Sequence, residues 1–461
     1  VALALALVAR TSAAGPTTRS AVVGEAVTFV QVGTGAASEA GVGEPIAWST
    51  LSSMSVSPGR RWFAFQVAAG TPAVEVPVCA GRTRVLLDGA DTRSAAGPAV
   101  VDLPADDHAH RVAVELDVSG YEHRITCGDA PRLGRRVVRS DGLLALDFDS
   151  PHAAAGGGRA VLYVPPGHDV SHPAPLLVGL HPWSGSTWTY AAYDTLLAAA
   201  RANDVVLLFP SGLGNSLYTA AAEDEALRAL DAAGHALAID PDRVTLWGAS
   251  MGGAGATTVG FHHPDRFAAV VSLFGDSKYD LATYVRAILR DGAGAHAVNA
   301  LDIADNARNL PVWLIHGEDD RVSPVAQSAM LARALRALGF AVSFDRVRGA
   351  GHEGRVVTEF AARIARLAKD VRRVVAPTRV SYWSVRPGDG GAYGIRLCHV
   401  RTGDAFFDVG LEAGIVRLYA ARNVSALTLP RGAFGLSPTE SPRVVADDGA
   451  KSVDVRWDPL P

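Results

Sequence analysis

A doubly wound α/β fold on a mostly parallel sheet, flanked by β domains at both ends, is what this sequence predicts. Three observations predict it. From roughly residue 140 to 372, apolar strand-like runs alternate with helical stretches. Inside that region one strand runs into a Gly-x-Ser-x-Gly turn and on into small residues fit to start a tightly packed helix. On either side lie only short strand-like segments separated by Gly, Pro and Asp turns.

A chain of 461 residues suggests about three domains. Its 48% hydrophobic and 20% charged residues fit a globular protein. The net charge of −4 gives no electrostatic case for nucleic acid. The divisions expected are a signal-peptide remnant or disordered tail over 1–20, a β-sandwich over 21–135, the α/β region over 136–373 and a small β domain over 374–461.

In order along the chain, Val1–Val8 is a short apolar run followed by Thr11-Ser-Ala-Ala14, which reads as the end of a signal-peptide core and a small-residue cleavage site. A secreted or periplasmic location follows as an expectation. Eight residues cannot span a bilayer, and no membrane association is expected. Strands are expected at 26–32, 61–67, 83–87 and 110–116, the last alternating as a half-exposed strand should, with a turn at Leu87-Asp-Gly89. Trp48 and Trp62 are read as core residues in preference to a stacking surface for carbohydrate. Cys79 and Cys127 both close strands of this segment and are a disulfide pair or two reduced core cysteines, while Cys398 has no evident partner.

The α/β region offers strands at 143–148, 160–164, 176–181, 205–210, 243–248, 267–273, 312–316 and 341–347, with helices at 190–202, 222–237, 324–338 and 353–372. Residues 276–291 and 299–309 are expected to form cap or edge helices. Residues 375–378 form a linker, and the tail has strands at 380–385, 416–420 and 423–429.

The chemistry centres on Ser250. Gly248 and Gly252 flank it because a side chain at either place would clash with neighbouring backbone. The turn lifts the hydroxyl out of the sheet at a helix N-terminus, where amides and dipole favour an oxyanion. A serine needs a base and an acid. The strand Val312–His316 ends in Gly-Glu-Asp-Asp320, and Asp320, the fourth residue after His316, is chosen over Asp319 and Glu318. His352 follows in the loop Gly349-Ala-Gly-His352, after the last strand. Ser250, Asp320, His352 is the chain order of α/β-hydrolases. Met251 N–H is one expected oxyanion donor. The other falls to Trp183 N–H, because Pro182 stands in the loop after the early strand and has no N–H. Trp183 and His181 are expected against substrate. No zinc spacing and no phosphate loop occurs, so neither metal nor cofactor is expected.

His181-Pro-Trp-Ser-Gly185, Gly248-Ala-Ser-Met-Gly-Gly253, His316-Gly-Glu-Asp-Asp320 and Gly351-His352 carry a resemblance. Residues 140–372 resemble secreted α/β-hydrolases of the prolyl-oligopeptidase-like (peptidase S9-like) esterase group, and are similar also to feruloyl-esterase and polyhydroxybutyrate-depolymerase-type enzymes. The resemblance implies the α/β-hydrolase fold and a serine hydrolase acting on carboxylic esters, with feruloyl or acetyl esters and polyesters as options. A β-propeller of four or more blades, at about 40 residues each, does not fit before residue 140, which argues against a gated oligopeptidase. The alternatives are an S9-like peptidase and a non-catalytic binding protein on the same scaffold. An ester substrate, possibly polymeric in presentation, is the expected partner, and a monomer the expected state.

Overall fold

The computed structural model describes residues 15–39, 43–52, 54, 56–77, 79, 82–94, 99–118, 125, 127, 129–137, 142–152, 157–279, 297–386 and 388–459. The leader-like segment before residue 15 and the cap segment over 280–291 lie outside them. The chain divides into two compact units, one within residues 1–160 together with 227–236, the other of 161–226 and 237–461.

The first unit holds two antiparallel sheets. One orders Pro45–Ala47, Phe29–Thr34, Gly59–Val67, His110–Val118, Arg82–Leu87 and Ala90–Ser94; the other orders Ala21–Ala26, Arg132–Val137, Ala73–Val76 and Ala99–Asp102. The strand expected at 26–32 is split, because the chain leaves one sheet at Ala26 and enters the other at Phe29. His110–Val118 is not half-exposed. It lies between Gly59–Val67 and Arg82–Leu87, and even Glu115 is buried, accepting the Ala37 N–H at 2.9 Å. The expected turn stands at Asp88 and Gly89, both at positive φ, as a two-residue hairpin requires. Trp48 packs edge-on to Phe63 in the core and Trp62 is buried, so neither offers a stacking surface. Cys79 and Cys127 are disulfide-bonded. Thr17–Arg19, inside the segment read as a leader remnant, is a strand paired antiparallel with Leu143–Asp149.

Six strands of the second unit lie side by side and parallel, in the order Val206–Pro210, Ala174–Leu180, Ile239–Ala249, Ala269–Leu273, Val312–Gly317, Val342–Val347. The inner ones are continuous apolar runs buried along their length, as strands covered on both faces must be. The order places the site. The chain starts at Ala174–Leu180, steps to one side, then crosses to the other. The sheet therefore has its topological switch point between Ala174–Leu180 and Ile239–Ala249, and ligands of open α/β sheets bind beyond the strand ends at such a point. Helices Asp194–Asn203, Ala221–Ala236, Met251–His262, Ala326–Ala337 and Arg355–Asp370 fall where the sequence puts them, and Ala300–Ala307 is a 3-10 helix. The same unit carries two further four-stranded sheets between Arg379 and Trp457, with Tyr382, Phe407, Leu418 and Leu427 in their core. This is an α/β-hydrolase fold with additional β sheets toward both ends of the chain. No helix of the described residues is long and apolar enough to cross a membrane.

Candidate active site

Ser250 sits between the strand Ile239–Ala249 and the helix Met251–His262 at φ 57°, ψ −120°. That backbone conformation is costly for a residue with a side chain and recurs at functional sites. It is held from both sides. Ser250 N–H donates to Leu273 O at 2.9 Å, and Ser250 O accepts the Ala254 N–H at 2.9 Å, the first turn of the helix. Neither neighbouring glycine can change. A Cβ on Gly248 would run into Gly252 and Leu180 backbone, and one on Gly252 into the carbonyls of Leu180 and His181. The turn thus lies directly against the start of the 181–186 loop.

His352 comes from the loop after the last parallel strand. Its Nε2 is 2.7 Å from Ser250 Oγ, and its Nδ1 is 2.7 Å from Asp320 Oδ2. Asp320 is buried at the end of Val312–Gly317; its Oδ1 accepts the N–H groups of Val322 at 2.8 Å and Ser323 at 2.9 Å. Burial works toward the neutral acid, but hydrogen bonds from His316, His352 and Ser323 outweigh it and hold the carboxyl well below the usual carboxylate range. Asp319 is exposed, and Glu318 pairs with Arg346 at 3.3 Å. Of the three acids only Asp320 is brought to His352. The Phe274 ring meets His352 edge-on at 4.7 Å.

The loop after Leu180 has its amides sorted. Ser184 N–H donates to Asn215 Oδ1 at 2.6 Å, Gly185 N–H to Pro182 O at 2.9 Å, and Ser186 N–H to Thr189 Oγ1 at 2.9 Å. Pro182 has none to give. Among the described residues no acceptor takes the Trp183 N–H or the Met251 N–H. Trp183 is 39% exposed, which leaves its ring open to a ligand. His181 is different from the expectation. It is 1% exposed, and its ring faces Pro182 O at 2.9 Å through Nδ1 and Ser211 O at 2.8 Å through Nε2. With both nitrogens turned to backbone carbonyls it presents none to substrate, and its contacts brace the loop.

Sequence reading missed Tyr190, Tyr218, Phe274, His316 and Asn215. Tyr190 and Tyr218 are fully buried. His316 Nδ1 faces Ser328 Oγ at 2.8 Å and its Nε2 faces Ser323 O at 2.8 Å, fixing the acid loop. Its position four residues before Asp320 was the available signal. The others carry no motif. Among the described residues no group of acids, histidines or cysteines could hold a metal.

Such an array can do nucleophilic acyl transfer, with a base within reach of a hydroxyl and a carboxylate orienting the base. Residues 215–372, which include all three side chains, match the family model described as Prolyl oligopeptidase family. Over residues 215–372 the match bears out the S9-like resemblance and places that region among hydrolases of the serine esterase and peptidase superfamily. No curated protein matches the chain. Among solved structures, an S-formylglutathione hydrolase from Agrobacterium tumefaciens is 16% identical, with 50% of this chain and 96% of that one covered and a TM-score of 0.43. A thermostable esterase is 16% identical over 69% of this chain and 98% of its own, TM-score 0.41. Dipeptidyl peptidase 4 from Porphyromonas gingivalis is 16% identical over 49% of this chain and 35% of its own, TM-score 0.40.

Proposed function

We propose that the chain is a secreted serine hydrolase that cleaves carboxylic esters through an acyl-enzyme on Ser250. The observation that carries this reading is the His352 ring, 2.7 Å from Ser250 Oγ on one side and 2.7 Å from Asp320 on the other. His352 Nε2 takes the Ser250 proton as Oγ attacks the ester carbonyl. Asp320 holds the ring with its proton on Nδ1 and stabilises the imidazolium that forms. The oxyanion is received by Met251 N–H and Trp183 N–H, neither of which meets an acceptor among the described residues. His352 then gives its proton to the leaving alcohol. In the second half it takes a proton from the water that attacks the acyl-Ser250 carbonyl, then returns that proton to Ser250 Oγ as the Oγ–acyl bond breaks and the acid leaves.

The Cys79–Cys127 bond supports secretion, because disulfides persist in oxidising compartments. Trp183, half-open beside the oxyanion loop, suits an apolar or aromatic acyl group, including one on a polymer such as a feruloylated polysaccharide or a polyester. An S9-type peptidase is the second reading, favoured by the family match over 215–372.

A panel of p-nitrophenyl esters, feruloylated sugars, polyester film and aminoacyl anilides, run against wild type and Ser250→Ala, tests this. Ester turnover and fluorophosphonate labelling that vanish in Ser250→Ala are expected. Anilide turnover well above ester turnover would establish the peptidase. Equal turnover by both proteins would remove Ser250 from the chemistry, and no turnover or labelling by either would leave a binding protein.

A further inference from the structure

We propose that Asn215 is a positioning residue for the oxyanion site: by accepting the Ser184 N–H it fixes the backbone that aims the Trp183 N–H. The proposal rests on the serine-hydrolase reading above.

Ser184 lies at φ 60°, in the left-handed region that strains a residue with a Cβ. Something must offset that strain. The contact available is the Asn215 carboxamide, whose Oδ1 accepts the Ser184 N–H at 2.6 Å. This bond fixes the peptide plane between Trp183 and Ser184. The preceding plane, between Pro182 and Trp183, is fixed through its oxygen: Pro182 O accepts the Gly185 N–H at 2.9 Å and faces His181 Nδ1 at 2.9 Å. In a trans peptide the C=O and N–H point opposite ways. An oxygen held toward Gly185 and His181 therefore turns the Trp183 N–H outward, away from the loop's own acceptors.

Both planes flanking Trp183 are thus pinned, one by the loop's own closure and one, among the described residues, by Asn215. Asn215 comes from a different segment, the turn after the Val206–Pro210 strand, which neighbours Ala174–Leu180 in the sheet. That turn is itself held by hydrogen bonds. Ser216 Oγ donates to Gly212 O and accepts the Tyr218 N–H at 3.1 Å, and Tyr218 is buried, with its hydroxyl 3.5 Å from His181 O. Asn215 stands at its exposed tip. The residue therefore makes no core contact that its loss would empty, and its effect on turnover is separable from any effect on folding.

The test compares wild type, Asn215→Ala and Asn215→Asp for kcat and KM on a p-nitrophenyl ester, inhibition by an alkyl boronic acid that forms a tetrahedral adduct on the serine, and melting temperature. Asn215→Ala is expected to lower kcat about 10-fold, short of the about 10²–10³ lost when an oxyanion donor is removed outright. Boronate affinity should fall in parallel, with KM within about twofold. As a surface substitution it should leave Tm within about 2 °C. Asn215→Asp keeps the acceptor but adds a negative charge close to the oxyanion, which salt weakens only in part; it should recover part of the kcat lost in Asn215→Ala, and more of it at high salt. An Asn215→Ala enzyme with unchanged kcat and boronate affinity overturns the proposal while leaving the hydrolase reading intact. So does a kcat loss that comes with a large fall in Tm and no recovery in Asn215→Asp. A wild-type protein without ester turnover or fluorophosphonate labelling fails the underlying reading instead, and the proposal with it.

Discussion

The Tyr190 hydroxyl accepts the N–H of Ala249 at 2.9 Å and donates to Leu180 O at 3.0 Å. One buried side chain therefore ties the residue before Ser250 to the strand end that feeds the 181–186 loop. Burial pushes the phenol up in pKa, so it stays a neutral donor and acceptor. Tyr190→Phe should cost about 1–3 kcal/mol, because it leaves a buried N–H unpaired. Urea denaturation reads the loss. Turnover should fall as well, since the elbow and the loop lose their common tether. A variant as stable and as active as wild type would show that the bond does neither.

Asp320 and Asp319 separate by function as they do by burial. Asp320→Asn should cost about 10³–10⁴ in kcat if the carboxylate sets the His352 tautomer, the size seen when a triad acid becomes an amide. Asp319→Asn, at an exposed position, should cost less than about threefold. A pH signature accompanies this. The folded pKa of Asp320 lies below its unfolded value, near 4 for an ordinary aspartate as an order of magnitude. Its ionised form therefore stabilises the fold above about pH 4, and that contribution is lost as pH falls through the depressed folded value. The stability difference between wild type and Asp320→Asn should be level near neutrality and shrink below about pH 4. A difference that holds constant down to strong acid would mean that Asp320 is not held ionised.

Much of the fold and of the candidate site was legible because it is written in local rules. Gly248 and Gly252 mark a turn that only glycine permits, and apolar strand runs between helical stretches specify a parallel sheet. Asp320 was legible from its place after His316, and the geometry sets it on the His352 ring. What sequence could not give were contacts between segments far apart in the chain. Tyr190 reaches Ala249 across 59 residues, and Asn215 reaches Ser184 across 31, with no motif marking either. His181 was misread for a related reason. A histidine beside a functional loop looks like a ligand group until both its nitrogens are found facing carbonyls. The strand over 26–32 was misplaced because both halves are β-prone, and sheet membership is decided by packing rather than propensity.

The Cys79–Cys127 bond closes a loop with a sequence separation of 48 residues. Chain-entropy arguments give such a closure about 4 kcal/mol. Replacing both cysteines with serine should lower the stability of the β-sandwich by about 2–5 kcal/mol, while Ser250 labelling by fluorophosphonate at low temperature persists, since the three site side chains lie in the other unit. Reducing agent should reproduce the shift in wild type and leave the double serine variant unmoved. An unchanged melting curve on reduction would show that the bond contributes nothing to the fold.

The sheets after Arg379 are bound to the helix Met251–His262 and to Glu223 by buried charge. Arg386 donates to Glu223 through both terminal nitrogens, Nη1 at 2.7 Å, and to Asp389 through Nε at 2.9 Å. His263 Nε2 lies 2.6 Å from Glu223, and His262 Nδ1 lies 3.1 Å from Asp389. His262 closes the helix that begins at Met251, and its carbonyl accepts the Tyr382 hydroxyl at 3.0 Å. Burial works to neutralise Glu223, but the bonds from His263 and Arg386 keep its carboxyl below the ordinary value. Arg386→Met should therefore cost about 3 kcal/mol, because it strands two buried carboxylates without their cation. Pairing it with Glu223→Met should recover part of that loss, since replacing both partners by apolar groups leaves less charge uncompensated. Ending the chain at residue 374 should be worse than either, giving protein that neither stays soluble nor labels at Ser250. Urea melts of the two variants and the labelling of the truncated chain decide the matter. An Arg386→Met protein within about 1 kcal/mol of wild type, or a truncated chain that labels fully, would make the C-terminal sheets a detachable module rather than part of the hydrolase body.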